Sequence, residues 1–424
     1  MKHHLIFTVF FLVFSIHVIG NDKEIIDSLH IALNNSKGNE RVNLLNRLST
    51  LYRAYETDQV GHLSKVAIDV AHEEGFREGE AIAYENLAWY FSKKNIGDSA
   101  VFSYLIALNY YEGTNKLDET ASIYNSLGIS LMNTGRYSES LDYLVKGLML
   151  RQELGDNSKI GGSYCNMGVV MEFLHEPEQA LEYYIKSHEY IKLGDNKGSL
   201  SSVLMNIGVV NFTLGNYRQS NKYYSEALVI QLQNDDQYGL MKIYRNLGNL
   251  SMEIKDLSAA IVYYNMSLDI ATKLGDINSI SGTYIKLGDL YGNKMVMFEK
   301  GLEYLEKGLV LAKSIGNKWC ENEAYKSMAE SYSANEEFEK AYILEKRYAN
   351  LNDSLVRTNA KLQIEKSKAV LQIQKDRLKT NSKKIAEADL SKKTSYNRMC
   401  IVVGVSAFLV LVFLGLYLKG RRHL

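Results

Sequence analysis

The chain repeats itself every forty residues. Gly128, Gly168, Gly208, Gly248 and Gly288 stand in one column. The segments around four of them are alike: "YNSLGISLMNTGRYSESLDYL" from Tyr124, "YCNMGVVMEFLHEPEQALEYY" from Tyr164, "LMNIGVVNFTLGNYRQSNKYY" from Leu204 and "YRNLGNLSMEIKDLSAAIVYY" from Tyr244. Ala88 and Leu48 extend the column toward the N-terminus at the same spacing, and Ala329 follows Gly288 at forty-one. A period of this length excludes a single globular core. Each unit is one supersecondary element that buries its apolar face only against its neighbours.

Each unit reads as two packed helices. A large residue four before the small one (Tyr84, Tyr124, Tyr164, Tyr244, Tyr284, Tyr325) and an aliphatic just before it (Leu87, Leu127, Met167, Ile207, Leu247, Leu287) form a helical stripe. Twelve residues on comes a second small position, Ala100, Ser140, Ala180, Ser220 or Ala260, followed by Tyr104, Tyr184, Tyr224 or Tyr264. Pro177 is the one proline in 424 residues, so almost nothing interrupts helices. Gly-Asp or Gly-Asn pairs, in "LGD" from Leu154, Leu193 and Leu274 and "IGN" from Ile315, are expected to end second helices in left-handed caps. The forty-first residue falls between Tyr291 and Gly301, where the turn between two helices is expected to absorb it.

This pattern of an aromatic, Leu-Gly, a small residue and further aromatics resembles the tetratricopeptide repeat. That repeat is about thirty-four residues long, and periods near forty are usual for HEAT or armadillo arrays, but residue identity outranks period here. Six extra residues add about one and two-thirds turns to the pair, as in the long-repeat variety found in peptide-sensing and scaffolding proteins. The resemblance implies an all-α, right-handed superhelical solenoid of eight helix-turn-helix repeats over residues 41–356, after a helical lead-in at 21–40. The first unit departs most, with Arg47 where an aliphatic belongs and Leu48 in the glycine column, and reads as a cap.

In that family the concave face is built from first-helix positions three before the small residue and one, four and five after it. Carried over, these are Asn125, Ile129, Met132 and Asn133; Cys165, Val169, Glu172 and Phe173; Met205, Val209, Phe212 and Thr213; Arg245, Asn249, Met252 and Glu253. The apolar centre suits an apolar peptide or amphipathic helix, with Met and Phe giving adaptable contact. The same residues would also serve as plain packing between long helices, or as a seat for the chain's own C-terminal helix. The family implies a different role for Asn46, Asn86, Asn166, Asn206 and Asn246, two before the small residue: hydrogen-bonded braces between repeats.

The two ends point to a membrane. Residues 1–20 have a basic start and an apolar run from Leu5 to Ile19, and read as a signal peptide. Residues 399–418 are apolar and long enough to span a bilayer as a helix, and Lys419, Arg421 and Arg422 mark residues 419–424 as a cytoplasmic tail. The repeats are then extracytoplasmic. The formal net charge of zero hides an uneven distribution. Residues 21–356 carry 45 acids against 33 bases, whereas 357–398 carry 12 bases against 4 acids. In that basic stretch Ile364, Leu371, Leu378 and Ile385 recur every seven residues, one apolar position per heptad, which describes a helical stalk and a weak coiled coil.

Catalytic and metal constellations are not evident: there is no HExxH, GxSxG or P-loop, and Cys165, Cys320 and Cys400 share no metal spacing. No cofactor is implied, and an acidic array is a poor nucleic-acid surface. The expectation is a membrane-anchored scaffold that binds a protein or peptide, and not an enzyme. The organisation also resembles the sensor half of bacterial membrane regulators. No kinase or helix-turn-helix output follows the span, so a sensor would signal to a cytoplasmic kinase or helix-turn-helix regulator that is separate or has been lost.

Overall fold

The computed structural model describes residues 23–194 and 197–352. The leader at 1–20, stalk at 357–398, span at 399–418 and tail at 419–424 lie outside the described residues. Those described hold seventeen helices and no strand, and no helix among them is long and apolar enough to cross a membrane. Helix α1 (23–35) leads in. Eight pairs follow: α2 (Gly38–Tyr52) with α3 (Thr57–Glu73), α4 (Arg77–Lys93) with α5 (Gly97–Tyr111), α6 (Leu117–Asn133) with α7 (Tyr137–Leu154), and α8 (Asn157–Phe173) with α9 (Pro177–Lys192). Then come α10 (Lys197–Thr213) with α11 (Tyr217–Asn234), α12 (Gln237–Glu253) with α13 (Leu257–Leu274), α14 (Ile277–Asp289) with α15 (Phe298–Ser314), and α16 (Lys318–Ala334) with α17 (338–352).

The glycine column exists because two helices cross there. A methyl group on Gly168, Gly208 or Gly248 would lie 2.6, 2.5 or 2.6 Å from the ring of Tyr184, Tyr224 or Tyr264 on the second helix. Those rings are almost wholly buried, so they cannot step aside. At Gly128 and Gly288 the same place is taken by Leu144 and Leu305. Buried serines fasten the pairs from inside. Ser140 Oγ donates to the Gly128 carbonyl at 2.7 Å, Ser187 to Gly161 at 2.7 Å, and Ser267 to Met241 at 2.9 Å. Each hydroxyl would otherwise be an unpaired polar group in the core.

The Gly-Asp and Gly-Asn pairs serve two helices at once. Gly155, Gly275 and Gly316 end their helices with φ of 74°, 68° and 67°. The next residue opens the following helix: Asp156, Asp276 and Asn317 accept from the backbone N–H three residues on at 3.0, 3.1 and 3.0 Å. The expected cap at Gly194 does not form. Helix α9 stops at Lys192, and Gly194 keeps an ordinary φ in place of the left-handed one seen at Gly155, Gly275 and Gly316.

The extra residue of the seventh pair is also placed differently from expectation. Its inter-helix turn, 295–297, is three residues long like 254–256 in the sixth pair. The insertion is instead taken up inside the first helix, as a π turn over Leu290–Lys294. Gly292 and Gly301 permit it, since a methyl on Gly301 would lie 2.4 Å from the Gly292 Cα. Asn293 closes the gap by donating to Asp289 Oδ1 at 2.7 Å and accepting from Ser331 Oγ at 2.6 Å.

Successive first helices touch one another directly, α2 with α4, α6 with α8, α8 with α10, α10 with α12 and α14 with α16. Among the second helices from α3 to α15 no comparable contact joins successive members. The first helices therefore form the inner side of the stack.

Candidate peptide-binding groove

A side chain on the inner side of a first helix has neighbours on both flanking first helices and no layer above it. The carried-over positions show this environment. Asn125, Ile129 and Met132 on α6, Cys165, Val169 and Glu172 on α8, Met205, Val209 and Phe212 on α10, and Arg245, Asn249 and Met252 on α12 are all half-buried. Ile129, Val169 and Val209 hold one register position on three consecutive first helices and form the spine of the strip. Met205, Val209 and Phe212 also pack partly on the core around Leu204, Tyr224 and Tyr244, and Met252 on that around Tyr264 and Leu287. Their lower atoms are packing and their upper atoms are surface. Phe173 is at the rim: it is 47% exposed and stacks on Tyr137 at 5.8 Å, where first helices turn into second ones. A cavity of about 320 Å³ lined by Tyr111, Leu117, Tyr124, Lys146 and Met149 includes none of the strip.

The asparagine column links one repeat to the next. Asn46 Nδ2 donates to the Gly79 carbonyl at 2.8 Å, and Asn86 Oδ1 accepts from Arg53 at 2.7 Å. Asn166 Nδ2 donates to Asn125 Oδ1 at 2.9 Å, and Asn206 Nδ2 lies 3.7 Å from Cys165 Sγ. Asn246 is half-buried in the same column. Asn125 thus has its oxygen engaged from the neighbouring repeat, and Arg151 reaches the same oxygen at 3.3 Å.

Sequence reasoning missed the second-helix tyrosines as groove residues. Their rings are buried against the glycine column, and the hydroxyls of Tyr184 and Tyr264 reach inner-side residues of the first helices from below. Tyr184 donates to Glu172 Oε2. Tyr264 donates to Asn249 Oδ1 at 2.8 Å and lies 3.1 Å from Met252 Sδ. The available signal was the choice of tyrosine over phenylalanine at Tyr184, Tyr224 and Tyr264.

Burial pushes the Glu172 carboxyl above the usual carboxylate range, and the Tyr184 hydrogen bond offsets part of that. Burial likewise pushes the Cys165 thiol up to about 11, which keeps it protonated and unreactive at neutral pH. No group of three or more His, Cys, Asp or Glu among the described residues could hold a metal. Glu172 is faced by Tyr184 from α9, by Tyr224 from α11 and by Cys165 from its own helix, all neutral at pH 7. A carboxyl whose native pKa exceeds its unfolded one stabilises the fold below the unfolded value, near 4.3, and loses that contribution as pH rises through the native value. Glu172→Gln should therefore raise the melting temperature of the ligand-free protein at pH 7.5, with the difference vanishing below about pH 4. Scanning calorimetry across that range reads it, and a difference independent of pH would contradict it.

Residues 120–157 match the tetratricopeptide repeat. No curated protein matches the chain. Among solved structures, the apo form of the quorum sensor NprR from B. thuringiensis is similar at a TM-score of 0.61 and 17% identity, over 79% of this chain and 95% of that one. A Rap protein complexed with competence and sporulation factor is similar at 0.58 and 15% identity, over 79% and 93%. The Rap conjugation gene regulator of the plasmid pLS20 in complex with the Phr* peptide is similar at 0.53 and 13%, over 81% and 98%. At these identities the likeness is one of fold. The chain contains a tetratricopeptide repeat and folds as an all-α solenoid of the tetratricopeptide type.

Proposed function

We propose that the chain is a membrane-anchored, extracytoplasmic scaffold that binds a protein or peptide along the inner side of its solenoid, and that it is not an enzyme. The observation that carries this reading is the strip of Ile129, Val169 and Val209, three half-buried aliphatics at one register position on consecutive first helices. Met132, Phe212 and Met252 flank it with adaptable apolar surface. One structural neighbour was solved in complex with the Phr* peptide and another in complex with competence and sporulation factor, which favours a bound partner of this kind here. Anchoring rests on the apolar sequence of residues 399–418, and export on residues 1–20.

Selection of phage-displayed random heptapeptides on the immobilised full chain tests the groove. Recovery of a peptide family is expected, and Val209→Glu/Phe212→Glu should lower the affinity for it at least about tenfold, a loss of about 1.4 kcal/mol. The double variant must keep its helical circular dichroism, because both residues also touch the core. Equal capture by the folded variant would reject the groove. Protease accessibility of the repeats in spheroplasts tests the extracytoplasmic placement.

A further inference from the structure

Glu172 sets a carboxylate into the apolar stretch of the inner strip, with Val169 on its own helix and Val209 and Phe212 on the next first helix. Its register position, four after the glycine, is held by Met132 in the preceding repeat and by Phe212 and Met252 in the next two. A residue there for packing alone would follow that pattern. Glu172 instead places a half-buried carboxyl among Val169, Cys165 and the aromatic rings beneath them. One of its oxygens receives the hydroxyl of Tyr184, whose ring is 0% exposed and immobile, so the carboxyl is held in one orientation. Among the described residues Glu172 forms no ion pair. Glu85 on α4 is the telling contrast. It too is a half-buried inner-side carboxylate, but Arg53 of the preceding repeat lies 3.7 Å away and also sits over the Trp89 ring at 5.5 Å. Asp289, a third inner acid, is satisfied by Asn293 at 2.7 Å.

We propose that the ligand carries a positively charged nitrogen group, within an otherwise apolar peptide, that seats on Glu172. This rests on the groove reading given above and specifies its ligand. A buried charge without a partner is costly, and covering Glu172 with a neutral peptide would raise that cost by removing its remaining water. A cation arriving with the peptide removes the penalty and adds a charge-assisted hydrogen bond. The site therefore discriminates against neutral apolar peptides as well as favouring basic ones. The net acidic charge of residues 21–356 draws such a ligand in from a distance. The cation is either a Lys or Arg side chain or a free amino terminus, both of which a carboxylate accepts equally.

The test continues the heptapeptide selection on the full chain. Recovered sequences should be apolar with one Lys or Arg at a fixed place, or, if the amino terminus is the cation, should require it free. The best peptide is then synthesised in four forms, with Lys or norleucine at the basic place and with a free or acetylated amine, and titrated by fluorescence anisotropy. Removing the cation should weaken binding about tenfold to a hundredfold, through norleucine if the side chain is the source and through acetylation if the terminus is. Glu172→Gln should bind the charged and neutral forms alike, and selection on Glu172→Lys should recover acidic peptides instead. Recovery of apolar peptides that bind equally in all four forms overturns this inference and leaves the groove reading standing. Failure to recover any peptide, or recovery undiminished by Val209→Glu/Phe212→Glu, overturns both.

Discussion

Gly208→Leu should cost the fold at least about 3 kcal/mol, the upper end of what overpacking a core contact costs. Even one added carbon at this position lies 2.5 Å from two atoms of the Tyr224 ring. That ring is 2% exposed and belongs to the cluster joining the fifth and sixth pairs through Leu204, Ala227, Leu240 and Met241. Moving it would disturb two interfaces, and leucine adds three more carbons. In a stack held only by nearest neighbours, the damage should appear first as local opening of α10 and α11. Hydrogen exchange should show protection lost in α10 to α12 and kept in α4 to α6, with a lower melting temperature by circular dichroism. An unchanged melting curve would mean that the helix crossing is not at the glycine.

Tyr264→Ala should be comparably severe, about 3 to 5 kcal/mol, the cost of emptying a large aromatic site in a core. Tyr264 is 0% exposed, packs against Gly248 and contacts the cluster around Leu287, Leu290 and Tyr291. Tyr264→Phe keeps the ring and loses the hydrogen bond to Asn249 and the weak contact with Met252 Sδ, about 1 kcal/mol. Asn249 is half-buried and can turn to water, which limits even that loss. Urea unfolding of both variants separates ring from hydroxyl. If Phe proves as damaging as Ala, the tyrosine column is there for its polar contact, and the account of the glycine column as a ring seat is wrong. The same pair probes the groove, because only the hydroxyl reaches the inner side.

The solenoid could be read from the chain because its evidence is periodic. A glycine, an aliphatic before it and a tyrosine before that recur at a fixed interval, and each recurrence reports the same helix crossing. The left-handed ends at Gly155, Gly275 and Gly316 were legible because glycine's conformational freedom is local; that Asp156, Asp276 and Asn317 also open the next helices was shown by the structure. Gly194 misled: it stands in the same Leu-Gly-Asp sequence as Gly155 and Gly275 but does not take their left-handed conformation. The insertion after Gly288 was visible as one extra residue but not as a π turn, since the choice between loop and helix was made by Gly301 and Ser331 from neighbouring helices.

The inner-side positions followed from the tetratricopeptide resemblance, but their individual environments did not. Asn125 meets Asn166 and Arg53 meets Glu85 across 41 and 32 residues of chain, while Tyr184 reaches Glu172 from the other helix of its own pair. Sequence determined that this protein is a stack of forty-residue helix pairs, because periodicity and residue size act within one repeat. Tertiary structure alone decided that Glu85 has a cation and that Glu172, among the described residues, has none. That difference depends on which side chains successive repeats bring face to face, and stacking, not spacing along the chain, sets it.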